Sequence, residues 1–163
     1  MGLVNPGRFA IGDSLFVGRP VKFPPMPQFA AEHFGRLQLE GQKHKQFDDG
    51  VRQLEEEGLM QVFRMKVGRD PVVGVVGALQ FDVIQSRLET EYGAGSRVEP
   101  LSYTMARWID PPTDVRTLKG LGPDVLDVTD RRGRLVLLFP SAWTLQYAER
   151  ENPLVKFLAE IDR

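Results

Sequence analysis

The chain has 163 residues, of which 42% are hydrophobic, enough to bury about two-thirds of its unfolded surface and so to build one domain or one domain plus a fragment. A formal net charge of -1 leaves no global field to hold it on nucleic acid or anionic lipid, so any RNA contact must be a local patch. The absence of cysteine removes disulfides, thiolate metal sites and thiol nucleophiles and suits a reducing compartment, the cytoplasm by expectation. No apolar stretch reaches the ~20 residues of a membrane span.

From Val4 to Val17 two short apolar alternations flank Gly12-Asp13, which reads as a β-hairpin. Two strands alone are marginally stable, so this piece is expected to dock on the rest or to be the edge of a missing β domain. Pro20, Pro24, Pro25 and Pro27 then favour an extended linker, and the main domain is expected to begin at residue 28.

Next come a strand near Phe34 to Leu39 and a helix from Lys43 to Glu57, with Phe47, Val51 and Leu54 on one face and Gly58 ending it. Leu59 to Met65 and Val72 to Val76 are β-rich and joined by the turn Gly68 to Pro71. A second helix is predicted from Phe81 to Tyr92, where Phe81, Ile84, Leu88 and Tyr92 recur at helical spacing before Gly93. Arg97 to Leu101 is a further strand.

The order then repeats, dividing the domain near residue 102. A strand at Tyr103 to Ile109 leads to a short helix opened by Thr113 and ended by Gly120, then strands at Val125 to Val128 and Leu135 to Phe139. Ser141 caps a helix carrying Trp143 and Tyr147 one turn apart, and Leu154 to Leu158 is the last strand. The expected fold is α+β: two tandem ferredoxin-like βαββαβ units with antiparallel sheets, preceded by the hairpin.

Catalytic signals are sparse. Gly74 to Gly77 lacks the lysine a phosphate loop requires and reads as a strand approached closely by another backbone. His33 and His44 have no metal-ligand spacing, and the adjacent Glu55, Glu56 and Glu57 point in different directions on a helix, so neither group makes a metal site. Ser14, Ser102 and Ser141 have no histidine at motif spacing. Arg107-Trp108 reads as core or as an edge packed by the arginine stem. No catalytic, cofactor-binding or metal residue is assigned.

Two basic groups remain as candidate contacts with an anionic partner. The first helix opens on Lys43 and Lys45 and closes on glutamates, the reverse of what the helix dipole favours, at a cost of about 0.3–1 kcal/mol per misplaced charge. That cost is the reason to consider another use for the lysines, the simpler reading being a solvated face. Arg131, Arg132 and Arg134 lie on a predicted turn between strands, where guanidinium forks can meet phosphate.

Across most of the chain, motifs resemble those of the C-terminal domain of the class-II peptide chain release factors, which are translational GTPases. These are the run Gln53 to Arg64 (QLEEEGLMQVFR), Gly74 to Val83 (GVVGALQFDV), Arg87-Leu88 with Glu91-Tyr92, and Met105 to Trp108 (MARW), in the family's order. Val4 to Gly7 and Ile11 to Asp13 resemble the end of that family's second, β-barrel domain, so residues 1–27 are expected to be a barrel end and linker. The resemblance implies a domain that contacts the terminating ribosome, at a small-subunit protein and ribosomal RNA, and acts indirectly on class-I release factors. GTP and magnesium are implied only for an N-terminal domain whose motifs have no counterpart here, so this chain is expected to be a non-enzymatic monomer. Other readings are the corresponding domain of an elongation factor G-like translocase, and a stand-alone ligand-binding regulatory domain. A base-stacking sheet of the RRM type is poorly supported, since the central strands offer only Phe63.

Overall fold

In the first half, spacing and caps set the elements. The computed structural model describes residues 16–21 and 30–160, and the hairpin predicted from residue 4 to 17 lies almost wholly outside them. Strand β1 (His33–Leu39) leads into helix α1 (His44–Glu56), which buries Phe47, Val51 and Leu54 on one stripe. Gly58, at φ +77°, closes α1 by donating its amide to Glu55. Strand β2 (Gln61–Met65) starts two residues later than the apolar run, because the Leu59 amide instead donates to the Leu54 carbonyl. Strand β3 (Val72–Val75), helix α2 (Gln80–Tyr92) and strand β4 (Ser96–Leu101) follow as expected to within a residue.

The second half departs from the repeat at one place. Strands β5 (Met105–Asp110), β6 (Leu126–Thr129), β7 (Leu135–Phe139) and β8 (Lys156–Leu158) are present, as is helix α3 (Ala142–Glu151), capped by Ser141, which accepts the Thr144 amide. The helix expected from Thr113 to Gly120 is instead a single 3-10 turn at Val115–Thr117. Asp114 binds both the amide and the guanidinium of Arg116, two residues on, a local bond that competes with helix growth. The short segment has too few apolar residues for a helical stripe, and it packs as a loop with Val115, Leu118 and Leu121 on the core. Buried Asn152 fixes that loop, accepting the Lys119 amide (2.9 Å) and donating to the Lys119 carbonyl (2.7 Å).

The eight strands of the described residues form one antiparallel sheet in the order β4-β1-β3-β2-β6-β7-β5-β8. Each half follows the same internal order, and the halves join where β2 meets β6 through Arg64–Thr129 and Met65–Val128. Because strand side chains alternate faces, Leu37, Val62 and Val73 point toward α1 and α2, whereas Phe34, Phe63 and Val72 point the other way. The second set shares a core with Ala106, Trp108, Val136 and Leu138 of the other half. Leu137 and Phe139 face α3 in a third core. The layers are therefore helices, half-sheet, half-sheet, then α3 with its loop.

Gly50 lies inside α1, where glycine costs about 1 kcal/mol relative to alanine. A Cβ there would stand 2.6 Å from Leu88 Cδ2 and 2.9 Å from the Tyr92 ring, so the glycine is what lets α1 and α2 cross closely. Overpacking costs about 1–3 kcal/mol, and Leu88 is fully buried. Gly50→Ala is thus expected to destabilise by about 1 kcal/mol net, despite better helix propensity. Urea unfolding checks this; a raised midpoint would mean the crossing has room to spare.

Candidate functional site

The arginine turn between β6 and β7 is organised by a residue just ahead of it. Asp130, 9% exposed, accepts the backbone amides of Arg132 and Arg134 on Oδ1, both at 2.9 Å. Its Oδ2 accepts the Trp108 indole N–H (3.0 Å) and Arg134 Nε (2.7 Å). Burial alone would raise this carboxyl; the Trp108 and Arg134 bonds outweigh it and hold Asp130 below the usual range. An aspartate opening a D-x-x-G turn is an Asx-turn signature, a sequence signal that attention to the arginines alone passes over.

The three arginines consequently differ. Arg134 is folded back on Asp130, and Arg131 pairs with Glu56 on α1 at 2.9 Å. The exposed Arg132 side chain makes no hydrogen bond or ion pair among the described residues. Behind Arg131, burial raises the pKa of Glu55 against the Val62 amide and the fields of Arg131 and Arg64.

Lys43 and Lys45 stand at the opposite end of α1, about 20 Å away at 1.5 Å per residue, so the two basic groups do not form one patch. Lys43 flanks the N-terminus of α1 without a side-chain cap, yet its Nζ would lie 3.0 Å from a Cβ at Gly93, the C-cap of α2. The ammonium thus serves the negative end of the neighbouring antiparallel helix. At the other end, Arg87 of α2 binds Glu57 (2.5 Å) and, through a fork, Glu91 (2.7 and 2.9 Å). Its hydrogen bonds lower both glutamates, and they in turn raise the arginine. The reversed polarity of α1 is answered by its partner helix, which a single-helix reading cannot reveal. Lys45 is exposed and unpaired among the described residues.

The remaining sequence candidates resolve structurally. Gly74 lies in strand β3 as read, but what crowds it is side chains and not another backbone: a Cβ there would meet Ala31 Cβ at 2.8 Å and the Phe34 ring at 3.0 Å. The Val76 and Gly77 amides are taken by Gln80 Oε1 at 2.9 and 3.0 Å, so this loop caps its own helix. Trp108 is core, and burial pushes the Arg107 guanidinium down against the field of Glu149. Among the described residues no cluster of three metal-ligating side chains occurs, and no helix is long and apolar enough to cross a membrane. Two open grooves flank Arg64, the larger of about 440 Å³ between α1 and the β2–β3 turn. Their mixed-charge walls carry no nucleophile–base pair.

These features define an α+β domain that offers charged turns and helix faces for contact. Its sequence matches the family described as Class II release factor RF3, C-terminal domain, over residues 23–149, and the chain belongs to that family. It is 43% identical to Peptide chain release factor 3 of Gloeobacter violaceus, with 96% of this chain and 30% of that protein covered. The proteins of the same name from Symbiobacterium thermophilum and Trichodesmium erythraeum are 42% and 40% identical, across 98% and 96% of this chain and 30% and 29% of theirs. The chain thus spans about 30% of the length of these relatives.

Asp130 generates the prediction for this region. A carboxyl held low in the folded state contributes stability above its unfolded pKa of about 3.9 and loses it as pH falls through the folded value. Asp130→Asn leaves at least one of its four donors unmatched and is expected to lose about 1–3 kcal/mol at pH 7. The gap to wild type should narrow below about pH 4. Denaturant titrations of both proteins across pH 2–7 check it, and a gap independent of pH would remove Asp130 as a charged organiser.

Proposed function

We propose that this chain is the ribosome-contacting C-terminal part of a translation-termination GTPase that promotes release and recycling of class-I release factors. The observation that carries the reading is the family match over residues 23–149, with relatives named for peptide chain release that extend well beyond the aligned part. In this reading, GTP and magnesium bind in the other part of such a protein, and the chain itself is non-enzymatic. Residues 1–27 are the end of a β-barrel domain and its linker, and residues 28–163 are the C-terminal domain. The common strand order of the two halves supports a ferredoxin-like duplication in which the second unit has exchanged its first helix for a loop. The protein acts in the cytoplasm as a monomer.

The domain works by shape. Its two half-sheets enclose a common core and α1 and α2 are tied by the Arg87–Glu57 ion pair, so it suits a rigid body that holds a ribosomal protein or RNA surface while other domains respond to nucleotide. Of the five candidate cations, Lys45 and Arg132 are free to meet phosphate, whereas Lys43, Arg131 and Arg134 have work inside the fold.

Co-sedimentation with bacterial ribosomes across a salt series tests this. Saturable binding displaced by an intact class-II release factor is the expected result. Arg132→Ala and Lys45→Ala should each reduce the salt slope by about one where they meet a phosphate. Binding that the intact factor fails to displace would sink the assignment; no binding at low salt would end the claim that this piece suffices alone.

A further inference from the structure

The outer face of α3 carries an aromatic ladder with no part in the fold's cores. Trp143 and Tyr147 stack with ring centroids 5.8 Å apart and planes 6° from parallel, and the Arg150 guanidinium carbon lies 5.4 Å from the Tyr147 centroid. The other aromatic pairs among the described residues are tilted by 38°, 52° and 65°, angles set by core packing. Trp143 is 70% exposed and Tyr147 37%, so a broad indole surface is left to solvent.

The ladder has a firm base. The Tyr147 ring lies against Gly120, where a Cβ would come within 3.1 Å of Cε1. That loop is fastened to the end of α3 by the bonds between Asn152 and Lys119. The Arg150 guanidinium supplies positive charge beside the rings; Lys119 and Glu149 are exposed near them in sequence, and the Glu151 stem lies against Gly120. A flat open ring with a guanidinium alongside matches a nucleotide, whose base stacks on the ring and whose phosphate meets the cation. A base covers such a flat face with its whole π surface.

We propose that the Trp143–Tyr147–Arg150 ladder is a stacking site for an unpaired base of single-stranded RNA. The proposal deepens the ribosome-contact reading, on which it rests for the source of the RNA, by naming the kind of surface met.

Trp108 is buried and hydrogen-bonded to Asp130, so quenching on addition of RNA reports Trp143. The test titrates the whole chain with single-stranded oligoadenylate and oligouridylate, following tryptophan emission and the anisotropy of labelled RNA, with a proline-rich peptide as the competing probe. RNA is expected to quench emission, and Trp143→Ala should weaken RNA binding about 5- to 150-fold. Trp143→Phe, which keeps a stacking ring, should bind nearly as well as wild type without quenching. Thermal unfolding matched to wild type establishes that the variants fold. No quenching by either RNA, unchanged RNA affinity in Trp143→Ala, or quenching by the peptide alone would overturn the proposal. Ribosome co-sedimentation of the wild-type chain is scored separately, so failure of the ladder and failure of the ribosome assignment are distinguishable.

Discussion

The two halves of the sheet share one hydrogen-bonded seam, with only Arg64 and Met65 of β2 in register with Thr129 and Val128 of β6. So short a seam does not hold the halves in one arrangement; the core behind it does. Phe63 is central there, 1% exposed, with its ring 6.2 Å from Phe34 and 6.0 Å from Trp108. Full burial of one large apolar side chain is worth about 1.5–3 kcal/mol, so a core with several contributors on each side outweighs the seam. It also explains why β3 and β7 are apolar on both faces: one face serves the helices or loop, the other the neighbouring half-sheet.

From this core, order passes outward through Trp108. Its indole N–H reaches Asp130, which also gathers two turn amides and the Arg134 guanidinium. The shape of the arginine turn is therefore fixed by a residue whose ring lies between the half-sheets. Arg131 then spans from the second half to Glu56 on α1. An exposed pair of this kind contributes about 0–1 kcal/mol, so it orients a side chain more than it stabilises the fold. Asn152 plays the parallel part at the other end, joining a loop to a helix with bonds that need no charge.

Much of the architecture was legible because its signals are local. Phe47, Val51 and Leu54 recur at helical spacing, Gly58 and Gly93 stop helices, Ser141 caps one, and Leu135 to Phe139 is apolar enough to be strand β7 as read. What failed was also local: Thr113 to Gly120 has helix-like punctuation, but Asp114 captures Arg116 and the few apolar residues serve the core as a loop. The sites were less legible because they depend on residues distant in sequence. Lys43 looked misplaced until α2 supplied Gly93 beside it, and Arg134 looked available until Asp130 engaged it. The pairing of Arg87 with Glu57 crosses thirty positions, beyond any helical periodicity.

Internal pairing also decides what kind of contact surface the chain can present. With a formal net charge of -1 and Arg87, Arg131 and Arg134 already bound to carboxylates, little positive potential extends past the ~8–10 Å over which salt screens it. Such a surface cannot draw a polyanion from a distance. It can fit one that is already close by, through flat rings, fixed turns and a few unpaired cations. Shape and stacking hold their strength as salt rises, whereas phosphate contacts do not. A domain of this composition is therefore suited to docking in a set orientation rather than to long-range capture.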